Sequence, residues 1–124
     1  FMGLDMWLMK KNKKTDYKEE ICYWRKANQI HHWFVENVQN QIDDCNDYEV
    51  SKEQLKDLLQ ICKKVKNNKI YAQELLPTCE GFFFGNTEYD EYYWNDIDYT
   101  IEMINKVLKE VNFDEEIVYY YSWW

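Results

Sequence analysis

The sequence contains one proline and three glycines in 124 residues, which leaves little room for flexible linkers or long structureless loops. It has no apolar run near the ~20 residues of a membrane-spanning helix. No apolar core stands behind basic residues near the start, so no secretory signal is expected. Phe1 stands ahead of Met2, and the natural start is expected at Met2. The four cysteines, Cys22, Cys45, Cys62 and Cys79, form no CxxC pair, and their even spread is not zinc-knuckle spacing. They are expected to be reduced thiols in a cytoplasm, with no metal and no cofactor. No phosphate loop, nucleophile motif or calcium-loop pattern occurs anywhere. No Lys or Arg falls between Ile70 and Asn105.

Acidic residues outnumber basic ones, 23 Asp and Glu against 15 Lys and Arg. The net charge is −8, which disfavours direct nucleic-acid binding, because neutralising phosphates needs a basic surface. Two options survive that exclusion: a small anionic ligand in a local basic pocket, and an acidic face that mimics nucleic acid or docks on a protein. A composition of 46% hydrophobic and 31% charged residues is that of a globular chain, read as a single domain over residues 1–124.

Aromatic residues are in surplus, with six Trp, eleven Tyr and six Phe. Tyr and Trp join an apolar body to a polar tip and concentrate at interfaces and ligand walls. The surplus points to a binding protein or a homo-oligomer. An AT-rich codon bias explains the tyrosines but not the tryptophans.

The stretch from Tyr23 to Val38 gathers tryptophans, strong cations and both histidines. Its spacing predicts a helix from Glu19 to about Gln41. Trp24, Ala27, His31, Phe34, Val35, Val38 and Ile42 would share the core face. Arg25, Asn28 and His32 would form a polar stripe beside it, and Lys26, Ile30, Trp33 and Asn37 a third. The plain reading makes His31 a core histidine, Trp33 a packing residue and Arg25 and Lys26 surface charges paired with Glu19, Glu20 or Glu36. The sharper reading makes this helix the rim of a ligand pocket. Arginine offers a planar fork for phosphate, asparagine a donor and an acceptor, and histidine a donor near neutral pH.

Elsewhere, Gly3 to Lys10 alternates like a strand, and the basic run up to Lys18 reads as a loop or ragged hairpin. Residues 43–49 form an acidic turn. Ser51 with Gln54 is a capping box for a second helix, with Leu55, Leu58, Leu59, Cys62 and Val65 as its core stripe. A short helical turn or extended connector follows over 71–76, stopped by Pro77. Residues 81–85 (GFFFG) read as a short strand or tight crossing. Asn86 or Thr87 is expected to cap a third helix over 88–110, whose first half carries Glu88, Asp90, Glu91, Asp96, Asp98 and Glu102. Residues 117–124 (IVYYYSWW) read as a strand that pairs with the first, with both terminal tryptophans in the core or in an interface. The expected fold class is α+β: about three main helices on a small antiparallel sheet formed partly by the N- and C-terminal strands.

Five blocks carry a resemblance: MGLDMWL at 2–8, YWRKANQIHHWFV at 23–35, VSKEQLKDLL at 50–59, ELLPT at 74–78 and GFFFGNTEYDEYY at 81–93. Together they resemble a family of small tailed-phage proteins that open Met-Gly-Leu-Asp-Met-Tyr-Leu, in the same block order and over roughly the whole chain. Trp7 stands where that family more often has Tyr, and the Lys-rich segment after the first strand is a second departure. Some such proteins carry the label phosphoglycerate kinase, for which this chain is too short and has no nucleotide loop. The resemblance implies a phage or prophage accessory protein that acts in the host bacterial cytoplasm against host defence.

Three functions are expected when these residues are set beside what the resemblance implies, which alone supplies the host-defence setting. The first is a non-catalytic binder that sequesters a small anionic nucleotide, a host immune signal, through Trp24, Arg25, Lys26, Asn28, His31, His32, Phe84, Tyr89 and Tyr92. The second is an acidic inhibitor that docks on a host defence protein through Glu88, Asp90, Glu91, Asp98 and Glu102. The third, ranked last, is a nucleotide hydrolase that pairs His31 or His32 with a carboxylate such as Asp5.

Overall fold

Alternation of apolar and polar residues builds the sheet. The computed structural model describes residues 3–81 and 85–124. Strand β1, Asp5–Asn12, buries Met6 and Leu8 and turns Trp7 and Met9 to the other side. It pairs antiparallel with β2, Lys18–Arg25, and with β4, Glu116–Trp123. A short β3, Tyr48–Val50, adds to the far edge of β4, giving the order β2-β1-β4-β3. The ends of the chain thus meet in the middle of the sheet, as expected, with Asp5 opposite Trp123. The β1–β2 hairpin is closed by Asn12, whose side-chain oxygen accepts from the amides of Lys14 and Thr15.

The helices cover one face. Helix α1, Asn28–Asn37, lays Phe34 flat on Tyr120 of β4, with ring centroids 3.9 Å apart and planes 6° from parallel. Helix α2, Lys52–Asn67, starts at the Ser51–Gln54 capping box, and all five residues of its expected core stripe are buried. A single helical turn, α3, Ala72–Leu75, leads to Pro77. Helix α4, Glu91–Glu110, buries Tyr93, Ile97, Thr100, Ile104 and Val107. The result is an α+β fold with all strands antiparallel.

The main correction concerns the predicted Glu19–Gln41 helix. Its first third, including Trp24 and Arg25, is the strand β2. Cys22 and Trp24 point inward while Tyr23 and Arg25 point outward, a period of two hidden beneath the helical spacing. Lys26 then breaks the strand with φ of 56°, and α1 begins two residues later. Because α1 is short and covered on several sides, Ile30 and Trp33 are buried, whereas Ile42 lies beyond its end and is 53% exposed.

Two further corrections have local causes. Helix α4 starts at Asp90, not Asn86 or Thr87, because the Asp90 carboxylate accepts from the amides of Tyr92 and Tyr93. Asn86 instead bonds the Glu88 amide, and the Thr87 carbonyl accepts from the Thr78 hydroxyl, so both belong to the preceding loop. Of the two places expected for the terminal tryptophans, the core is ruled out: Trp123 is 53% exposed, and Trp124 donates its indole N–H to Asp43 at 3.0 Å. The sheet face away from the helices stays open. Trp7 lies between Tyr23 and Tyr121 there, at 5.7 and 5.4 Å between ring centroids.

Candidate functional site

The chain's one arginine, Arg25, stands at the end of β2. Its guanidinium donates to Asp5 across the β1–β2 pair at 2.7 Å, and Tyr23 donates its hydroxyl to the same oxygen. Burial pushes the Asp5 carboxyl up, but these two bonds outweigh it and hold the group below its ordinary value. Gly3 lets the guanidinium lie there, since a Cβ on residue 3 would come within 2.5 Å of Arg25 Nη2. Lys26 follows in a left-handed conformation that redirects the chain into α1, while its amide still reaches the Leu4 carbonyl at 2.8 Å.

These two cations form part of the wall of a cleft of about 450 Å³, within the range of small-ligand sites. Helix α1 supplies Asn28 and Gln29. Helix α4 and its approach supply Glu88, Asp90, Tyr92, Tyr93 and Asp96, and Thr78, Gly85 and Asn86 complete the lining. Asn28 is 3% exposed and braces the cleft: its amide donates to the Asn86 carbonyl at 2.9 Å, and its oxygen accepts from the Cys79 amide at 3.0 Å. Gly85 sits close beside Lys26, where an added Cβ would lie 3.2 Å from the lysine Cβ.

Asp96 is the unusual group in this lining. It is half-buried, and burial together with the nearby Asp90 charge raises its carboxyl to about 6, although the neighbouring Gln29 amide pulls the other way. It is ionised at neutral pH and close to titrating. Perturbed carboxyls of this kind concentrate at binding and catalytic sites.

The expected site residues fall into three groups. Arg25, Lys26, Asn28 and Tyr92 do meet in the cleft, and so do Glu88 and Asp90 from the acidic alternative. Trp24, His31, His32 and Tyr89 lie outside its lining. Trp24 is a core residue that donates its indole N–H to Thr100 at 2.9 Å. His31 is wholly buried between the Tyr120 hydroxyl at 2.6 Å and Asp43 at 3.0 Å. Its carboxylate neighbour is thus Asp43, not Asp5, which lies on the opposite side of β1 from the buried residues and is engaged by Arg25. His32 lines a separate hollow with Glu36, Glu74 and Pro77. Tyr89 accepts from the Thr78 amide and packs on Tyr93. Phe84 lies outside the described residues.

Within the acidic set, Asp90 caps α4 and Asp98 pairs with Lys66 at 2.8 Å, while Glu91 and Glu102 are exposed. Gln29, Thr78, Tyr93 and Asp96 are cleft residues outside both expected site sets, although Asp96 stood among the acids expected in the first half of the third helix. Asp96 carries the one available signal, because it sits one residue before the buried Ile97 on α4 and so borders the core stripe.

All four cysteines are thiols, and burial raises those of Cys22 and Cys62 to about 12. Among the described residues no group of three His, Cys, Asp or Glu side chains could hold a metal ion. No helix among them is long and apolar enough to cross a membrane. Comparison with protein-family models, curated proteins and solved structures finds no match to this chain.

Proposed function

We propose that the chain is a non-catalytic binder that holds a small nucleotide-type ligand in the cleft between β2, α1 and α4. In the setting that the phage resemblance implies, it acts in the host cytoplasm as an accessory protein that sequesters a host immune signal. The observation that carries this reading is the convergence of Arg25, Lys26 and Tyr92 on one cleft of ligand size. Arginine and lysine suit a phosphate, and an exposed tyrosine ring suits a base, where stacking contributes about 1–3 kcal/mol. Neither histidine and no cysteine lies in the described lining.

The cleft also limits the ligand. Two cations face three carboxylates, Glu88, Asp90 and Asp96, and Arg25 already answers Asp5. A triphosphate would meet net repulsion. A ligand of low charge, with its phosphate near Lys26 and neutral donors toward α4, fits better. The acidic-inhibitor reading ranks second, because Asp90 and Asp98 already serve the fold. The surplus aromatics on the open sheet face keep a homo-oligomer within the proposal.

The test is a thermal-shift screen against cyclic dinucleotides, ADP-ribose derivatives and nucleoside mono- and triphosphates, repeated with Arg25→Ala. Saturation at about 100 times Kd adds roughly 2.7 kcal/mol, several degrees for a chain of this size. One responding class, a response lost in the folded Arg25→Ala protein, and an intact recovered ligand are the expected results. A flat panel overturns the reading, and turnover of the ligand makes the protein an enzyme.

A further inference from the structure

The polarity of the cleft is divided by element. Its cations, Arg25 and Lys26, come from the end of β2, and its half-buried carboxylate, Asp96, comes from the second turn of α4. The remaining acids have other settings: Asp90 is committed to the α4 amides, and Glu88 belongs to the loop before them. The Gln29 amide donates to the Tyr93 carbonyl at 3.3 Å and lies near enough to Asp96 to favour its ionised form. A carboxylate has about four acceptor positions, so even with the Gln29 amide nearby it has room for two more donors. A half-buried carboxylate facing a ligand cleft calls for donors from that ligand, since leaving it dry and unsatisfied is costly.

Resting on the nucleotide reading above, we infer that the cleft selects guanine, with Asp96 accepting from the N1–H and the exocyclic N2–H of the base. Among the common neutral bases, guanine alone presents two adjacent donors on its Watson–Crick edge. Adenine and cytosine each pair one amino donor with a ring acceptor that would face the carboxylate lone pairs. The base plane lies against Tyr92, which is 67% exposed beside the cleft, and the phosphate lies toward Lys26 and Arg25. This arrangement also explains how an anionic ligand tolerates an acidic wall: the acid meets the donor end of the ligand and the cations meet its phosphate.

The probes are GMP, IMP, AMP and XMP, titrated calorimetrically into the whole chain and into Asp96→Asn. IMP lacks only the N2 amino group, so GMP should bind roughly tenfold to a hundredfold tighter, the discrimination of one good bidentate pair. Asparagine replaces one acceptor with a donor. Asp96→Asn should therefore weaken GMP and strengthen XMP, which carries an acceptor where guanine has its amino group. Equal binding of GMP and IMP, or unchanged GMP preference in a folded Asp96→Asn protein, overturns the guanine assignment and leaves nucleotide binding standing. Absence of binding by every nucleotide in both panels overturns the functional reading and this one with it. Should Asp96→Asn fail to fold, the GMP-to-IMP ratio on the unaltered chain decides.

Discussion

Replacing Lys26 with glycine separates the fold from the site. Lys26 holds φ of 56°, a conformation that costs a residue with a Cβ about 1–2 kcal/mol. Glycine removes that cost but adds about 0.5–1 kcal/mol of unfolded-chain entropy. The side chain is exposed, and the backbone bond from residue 26 to the Leu4 carbonyl does not depend on it. The balance is a gain of about 0.5–1 kcal/mol, or roughly 2–5 °C in Tm. Ligand binding should move the other way. Loss of one charge-assisted bond removes about 1.5–3 kcal/mol, roughly tenfold to a hundredfold in Kd. Urea unfolding and calorimetric titration with the best nucleotide of the panel measure the two effects on one sample. A variant destabilised by more than about 1 kcal/mol would refute the backbone reasoning. Unchanged affinity would remove Lys26 from the site.

Three other predictions test the fold and the electrostatics. Tyr120→Phe removes the buried bond to His31 Nδ1 and should lower stability by about 1–2 kcal/mol in urea unfolding, with nucleotide affinity unchanged because neither residue lines the cleft. Ser122→Ala deletes a buried hydroxyl that has no hydrogen-bond partner among the described residues, so it should be neutral or stabilising by up to about 1 kcal/mol; a clear loss would show that the hydroxyl is satisfied. Asp96 gives a pH signature. Its folded value of about 6 lies above the unfolded carboxyl value, so its contribution favours folding below about pH 4 and is lost as pH rises through about 6. Asp96→Asn should therefore be the more stable protein at pH 7, with the difference gone near pH 4. A pH-independent difference would sink that account.

Much of the fold was legible because it rests on local chemistry. Ser51 and Gln54 form a capping box whatever surrounds them, and the spacing of Leu55, Leu58, Leu59, Cys62 and Val65 admits one buried face. The terminal strands were readable because alternation with aromatic and branched residues suits a sheet covered on one side. The segment around Trp24 was misread for a physical reason. Its apolar residues satisfy a helical and a strand period at once, and pairing with β1 selects the strand.

Of the candidate site, the sequence by itself determined which residue types were available: one arginine, a neighbouring lysine, and tyrosines in an otherwise acidic stretch. Tertiary structure decided which of them meet. Asn28 fastens Cys79 and Asn86 to the start of α1, and Asp90 sets the start of α4, so that Asp96 lines the cleft. The same packing took His31 out of reach by closing Tyr120 and Asp43 around it. Side-chain chemistry is written residue by residue, but the raised carboxyl of Asp96 arises from burial, and burial exists only once β2, α1 and α4 have packed.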